Sequence, residues 1–226
     1  MRVIRIVVLV LLPLFVLVPS WAQAEVIEKS DNGFVVQSTA RVSAAPYIVW
    51  QALIAPGRWW SDGHTWSGDA SNLYISAQGG GCFCELLPED KEAPAGVRRG
   101  SAQHMVVLMA DPPKALRMRG ALGPLQSEPI DGVLTITLKP DDGGTRILWE
   151  YAVDGYMRYP IDEIAPAVSA VIELQSGRLA RHIGPVAETD EADKSDDVSG
   201  TTPVAPVSVP EETSEEGAED PSLASE

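Results

Sequence analysis

From Leu73 to Val153 the sequence reads as strand after strand, and a single long amphipathic helix then has to cover them all. Residues 132–139 alternate Leu134, Ile136 and Leu138 with Val133, Thr135 and Thr137, and residues 146–153 put Ile147, Trp149, Tyr151 and Val153 on one face. After them, Val168, Val171, Ile172, Gln175, Leu179 and His182 form one stripe at helical spacing, which Gly184-Pro185 ends. One helix cannot cover a broad flat sheet. The sheet must curl around it, and a curled sheet gripping a helix leaves room for a cavity between the two. The expected class is therefore α+β, a curved antiparallel sheet wrapped around a long C-terminal helix.

Upstream, residues 25–33 read as a polar lead-in ending in the Asp31-Asn32-Gly33 turn, and residues 34–42 as a strand with Phe34, Val36, Ser38, Ala40 and Val42 on one face. A short helix follows Ser43 and Pro46, with Tyr47, Trp50 and Ile54 in register, and stops at Pro56-Gly57. Residues 64–72 are a loop rich in Trp, Gly and Asp, and residues 73–77, 82–87, 100–110 and 115–119 are further strands. The glycine triplet at residues 79–81 reads as a bend, because a strand follows it rather than the helix N-terminus a phosphate site needs. Pro166 fits the first turn of the last helix, after a short piece at residues 161–164.

The two ends of the chain read differently. Residues 1–24 carry Arg2 and Arg5, an apolar run over residues 6–18 and the small-residue pattern Ala22-Gln23-Ala24. This is the pattern of a signal peptide cleaved after Ala24, so a periplasmic or secreted location is expected, with no stable membrane insertion after cleavage. Residues 186–226 hold 13 acids against one base, Lys194, and no aromatic residue. They form an acidic tail expected to be disordered, since such a segment buries too little apolar surface to offset its ordering entropy. The whole chain carries −15; the tail supplies −12 and the leader +2, which leaves −5 on residues 25–185. A mildly acidic domain gives nucleic-acid binding no electrostatic support.

The run Arg58-Trp59-Trp60, the strand opening Gly80-Gly81-Cys82-Phe83 and the link Asp111-Pro112-Pro113-Lys114-Ala115-Leu116 occur here in an order similar to that of the START-like (SRPBCC) superfamily. That group includes polyketide cyclases, lipid-transfer domains and chaperone-ATPase activators. The resemblance spans residues 34–183. It implies a helix-grip fold, and the Gly120–Gln126 run with the Cys-x-Cys pair resembles an uncharacterised secreted bacterial branch. It also implies that Phe83 faces the cavity.

Several residues stand out for chemistry. Cys82 and Cys84, the only two cysteines, share one face of a strand. At about 6.6 Å between Cα atoms they read first as two small buried hydrophobes. The alternatives are a disulfide, favoured by export, and a metal site, disfavoured because the chain has only three histidines. Glu85 takes the opposite face with Phe83 and reads first as a strand-end carboxylate in water; the alternative is a pair, functional or structural, with His104 on a following strand. Unpaired among apolar residues, Glu85 would have a raised pKa. His64 and Trp66 fall in the loop that would rim the cavity, and Trp149 and Tyr151 point toward the helix, more simply as core than as ligand platform. His182 suits the negative end of the helix dipole.

No Gly-x-Ser-x-Gly, His-Glu-x-x-His, phosphate loop or dinucleotide fingerprint occurs. No cofactor and no metal are expected. The leading expectation is an exported domain that binds a small apolar or amphipathic ligand, a lipid or an aromatic compound, through His64, Trp66, Phe83, Glu85, His104, Trp149 and Tyr151. The enzymatic alternative is cyclase- or dehydratase-like proton transfer by Glu85 and His104, and a protein-interaction module is the third.

Overall fold

The computed structural model describes residues 22–184. The expected leader, except Ala22-Gln23-Ala24, and the expected acidic tail lie outside the described residues. Within them, eight strands form one antiparallel sheet: β1 (Ala22–Lys29), β2 (Gly33–Val42), β3 (Leu73–Ile75), β4 (Cys82–Leu86), β5 (Ser101–Asp111), β6 (Ala115–Gly120), β7 (Ile130–Asp141) and β8 (Gly144–Gly155). Their spatial order is β1-β2-β8-β7-β6-β5-β4-β3. Helix α1 (Pro46–Leu53) and three 3-10 turns connect β2 to β3, and helix α2 (Ile161–Ile183) closes the chain. The sheet grips the long helix.

The buried face follows the alternation seen in the sequence. Phe34, Val36, Ser38, Ala40 and Val42 of β2, Leu134, Ile136 and Leu138 of β7, and Ile147, Trp149, Tyr151 and Val153 of β8 are all buried. Ile172, Leu179 and Ala180 of α2 meet them. The closest backbone approaches of α2 are to β2 and β1. There Ser38 and Ser176 touch hydroxyl to hydroxyl at 2.7 Å beside the buried Gly177. Small side chains let the helix settle on that half of the sheet. Because it settles there, space remains over the part of the sheet where Leu73 of β3, Phe83 of β4, His104 of β5 and Tyr151 of β8 face the helix.

Four details depart from the sequence reading. Residues 22–29 form the edge strand β1, not a polar lead-in; its exposed side chains hide the pattern, and pairing with β2 makes the strand. Pro166 lies inside one continuous α2, because the short piece at residues 161–164 is its first turn. The glycine triplet bends the chain as expected, but as a tight β3–β4 connection, where a Cβ on Gly81 would meet the Ser76 carbonyl, and not as the source of the sheet's curl. The curl of the sheet coincides instead with three register shifts, at Val26/Glu28, Phe83/Cys84 and Val107/Met109. Lastly, Cys82 and Cys84 are joined as a disulfide with Cα atoms 5.5 Å apart, so they are not two free buried hydrophobes. That distance is shorter than the spacing of about 6.6 Å in a regular strand.

Candidate functional site

The space between α2 and the far half of the sheet is a cavity of about 420 Å³. Its sheet side is Phe83, Leu73 and Tyr151, with Trp60 beside them, and its helix side is Ile164, Val168, Val171 and Ile172. The rim is the loop from Gly63 to Trp66 on one side and the run from Leu122 to Leu125 on the other. Helix α2 also sets the position of Trp60. Arg178 donates to the carbonyls of Trp59 and Trp60 at 2.7 and 3.1 Å, and Gln175 accepts the Ser61 N–H at 3.1 Å.

A β-bulge places the one buried histidine. Pairing of β4 with β5 passes from Phe83↔Met105 to Cys84↔Gln103 and leaves His104 as the extra residue. His104 and Met105 are therefore consecutive and both buried, which a regular strand does not allow. The His104 ring lies 5.1 Å from the Phe83 ring and forms part of the cavity wall.

Behind His104 lies Glu85, at 0% exposure. Its Oε2 is 3.0 Å from His104 Nε2 and accepts the Trp66 N–H at 3.1 Å, while Oε1 accepts the Ser67 N–H. Burial pushes the Glu85 pKa up, but Ser67, the Trp66 N–H and His104 together outweigh it and hold the carboxyl below its ordinary 4.5. Burial likewise holds His104 below its ordinary 6.5, against the partial pull of Glu85 in the other direction. The pair is a carboxylate and a neutral imidazole.

The remaining hydrogen bonds close a ring. The Trp66 indole donates to Gln126 Oε1 at 2.7 Å, and Gln126 Nε2 lies 3.0 Å from His104 Nδ1. Indole N–H can only donate, so the Gln126 carbonyl must face it and the Gln126 amide must donate to Nδ1. Glu85 as a carboxylate can only accept, so Nε2 carries the proton. Trp66, Glu85, His104 and Gln126 thus fix one another's orientations and tie the two rims together.

Of the residues expected at the site, His64, Trp66, Phe83, His104 and Tyr151 line the cavity. Glu85 does not reach it; its acceptors are turned to the rim loop and to His104. Trp149 does not line it either. It packs edge-on against Trp59 at 6.0 Å between centroids, deeper in the core. The Tyr151 hydroxyl donates to the Gly120 carbonyl at 3.2 Å, and burial pushes its pKa well above that of an ordinary phenol. Sequence reasoning passed over Ser67, whose backbone N–H does the work, and Gln126, a polar side chain inside an apolar Gly- and Pro-containing run. Among the described residues no group of three His, Cys, Asp or Glu side chains is placed to hold a metal ion.

No protein-family model matches the chain, and no curated protein matches it in sequence. Solved structures similar to it include a Rhodobacter sphaeroides protein at 19% identity, covering 71% of this chain and 97% of that one with a TM-score of 0.44. A Rhizobium leguminosarum protein of uncharacterised function is similar at 14% identity over 71% and 98% of the two chains, with a TM-score of 0.46. CalU16 from Micromonospora echinospora is similar at 17% identity over 74% and 84%, with a TM-score of 0.44.

Proposed function

We propose that this is an exported START-like domain that binds a small apolar or amphipathic molecule, a lipid or an aromatic compound, between the sheet and α2. The observation that carries the reading is the cavity of about 420 Å³, within the range of small-molecule sites. Its walls are aromatic rings on the sheet side and aliphatic side chains on the helix side. Among the described residues no Lys, Arg, Asp or Glu lines it, so a charged ligand would find no counter-charge from them inside. The leader pattern at residues 1–24 supports export to the periplasm or beyond.

The enzymatic reading keeps one specific support. A carboxylate holding the far nitrogen of a neutral imidazole is the arrangement of a general base. It ranks second because only His104 of the pair lines the cavity: Glu85 does not reach it, so among the described residues no carboxylate, lysine or cysteine stands in the wall to complete a proton transfer.

Native mass spectrometry of the full chain, with lipid extraction, tests the reading. The expected result is a co-purifying or exchangeable ligand that is lost on Val171→Trp, which fills the cavity from the helix side. A chain that carries and exchanges no ligand, or a variant that binds as well as the parent, would overturn it.

A further inference from the structure

His104 is a wall residue whose two nitrogens have opposite surroundings. Nε2 points to Glu85, which does not touch the cavity. Nδ1 points to Gln126, on the turn whose Gly123, Pro124 and Leu125 line the cavity mouth. With the proton fixed on Nε2, Nδ1 is a lone-pair acceptor, and the carboxylate behind the ring makes it a stronger one.

The other polar groups of the wall are committed within the protein. The Tyr151 hydroxyl donates to Gly120, the Trp60 indole to the His64 carbonyl and the Thr65 hydroxyl to the Asp62 carbonyl. His64 is exposed on the rim, where water competes for it. Gln126, by contrast, is a half-exposed neutral amide on a short turn, so its bond to Nδ1 is the one that exchanges most readily.

We propose that His104 Nδ1 is the polar anchor for the ligand, and that the ligand's own hydroxyl donor takes the place of Gln126 there. The ligand class is then a neutral, hydroxyl-bearing apolar molecule, such as an alcohol, a phenol or a sterol-like ring system. A carboxylate is excluded, because it would face a lone pair backed by the Glu85 anion with no cation on the wall. Docking also has a consequence at the mouth. Displaced from Nδ1, Gln126 is no longer oriented toward Trp66, and the indole, 56% exposed, loses its partner across the rim.

This inference rests on the cavity being a binding site, and three probes separate the two claims. Equilibrium dialysis of the full chain at neutral pH compares naphthol, its methyl ether and naphthoate. Naphthol is expected to bind about five-fold tighter than the ether, as one exchanged hydrogen bond allows, and naphthoate weakest. His104→Phe should bind naphthol and ether equally. Gln126→Ala, a mild surface change, should bind naphthol a few-fold tighter and leave the ether unchanged. The Trp66 indole N–H resonance should shift with naphthol and not with the ether. Equal binding of naphthol and ether by the parent, preference surviving in His104→Phe, or naphthoate binding tightest would overturn the anchor while leaving the cavity reading intact. If no probe binds the parent, the cavity reading fails and the anchor with it.

Discussion

Glu85 and Ser67 meet across 18 positions of sequence: a fully buried carboxylate on β4 accepts the backbone N–H of a surface loop. The same carboxylate accepts the N–H of Trp66. Two loop amides that would otherwise need water are satisfied by one anion, and that anion fixes the rim of the cavity.

Removing it should therefore release the loop. Glu85→Ala leaves two amides and the His104 N–H without an acceptor, and at about 1–3 kcal/mol for each donor that stays unsatisfied, at least about 3 kcal/mol of stability should be lost in urea unfolding. Glu85→Gln keeps one acceptor and should cost about 1–3 kcal/mol. In hydrogen exchange, protection at the Trp66 and Ser67 amides should fall in both. Unchanged protection would mean that the loop is held by something else.

Acid should act through the same pair. Burial holds His104 below 6.5 in the folded state, so the unfolded chain takes up the proton first. The stability from a neutral His104 is full above pH 6.5 and lost as pH falls toward the folded value. Glu85 lies below 4.5 when folded, so its share is full above 4.5 and lost as pH falls through the folded value. Urea midpoints should drop in two stages, the first as pH falls below 6.5 and the second as it falls below 4.5. His104→Gln, which keeps a donor toward Glu85, should remove the upper stage and leave the lower.

Cys82 and Cys84 enclose only one residue between them. Intact mass under denaturing conditions without reductant should sit about 2 Da below the thiol form, with no titratable thiol. Since so short a loop constrains the unfolded chain little, the double variant Cys82→Ser/Cys84→Ser should lose at most about 1.5 kcal/mol. A much larger loss would show that the bridge also supports the packing of β4.

Gly120 ends β6 and leads into the turn that bears Gln126. Its φ is +152°, and a Cβ there would lie 2.3 Å from the His104 carbonyl and 2.9 Å from Met105 Cα. Gly120→Ala should cost more than about 2 kcal/mol. Gly123, with φ +55° and open space around it, tests the conformational term alone. Gly123→Ala should cost about 1 kcal/mol. Equal costs would show that close approach is not what Gly120 is there for.

The sequence by itself determined the layers. Alternation on β2, β7 and β8 and the stripe on α2 name the buried faces, because a two-residue and a 3.6-residue period admit one inward side each. It offered Glu85 and His104 as a pair only behind the reading of Glu85 as a carboxylate in water, which its complete burial overturns, and it placed His64 and Trp66 at a rim. What it could not carry is the bulge at Phe83/Cys84, since a skipped residue is decided by which β5 residue each β4 residue meets. That one skip turns His104 into the wall. The backbone partners of Glu85 were equally hidden, because a backbone N–H belongs to every residue type but proline. Only the fold brings the Trp66–Ser67 loop to β4. The sequence put Trp149 forward for the cavity and gave Trp60 no role in it. The grip of Arg178 and Gln175 on residues 59–61 brings Trp60 to the cavity, while Trp149 stays in the core.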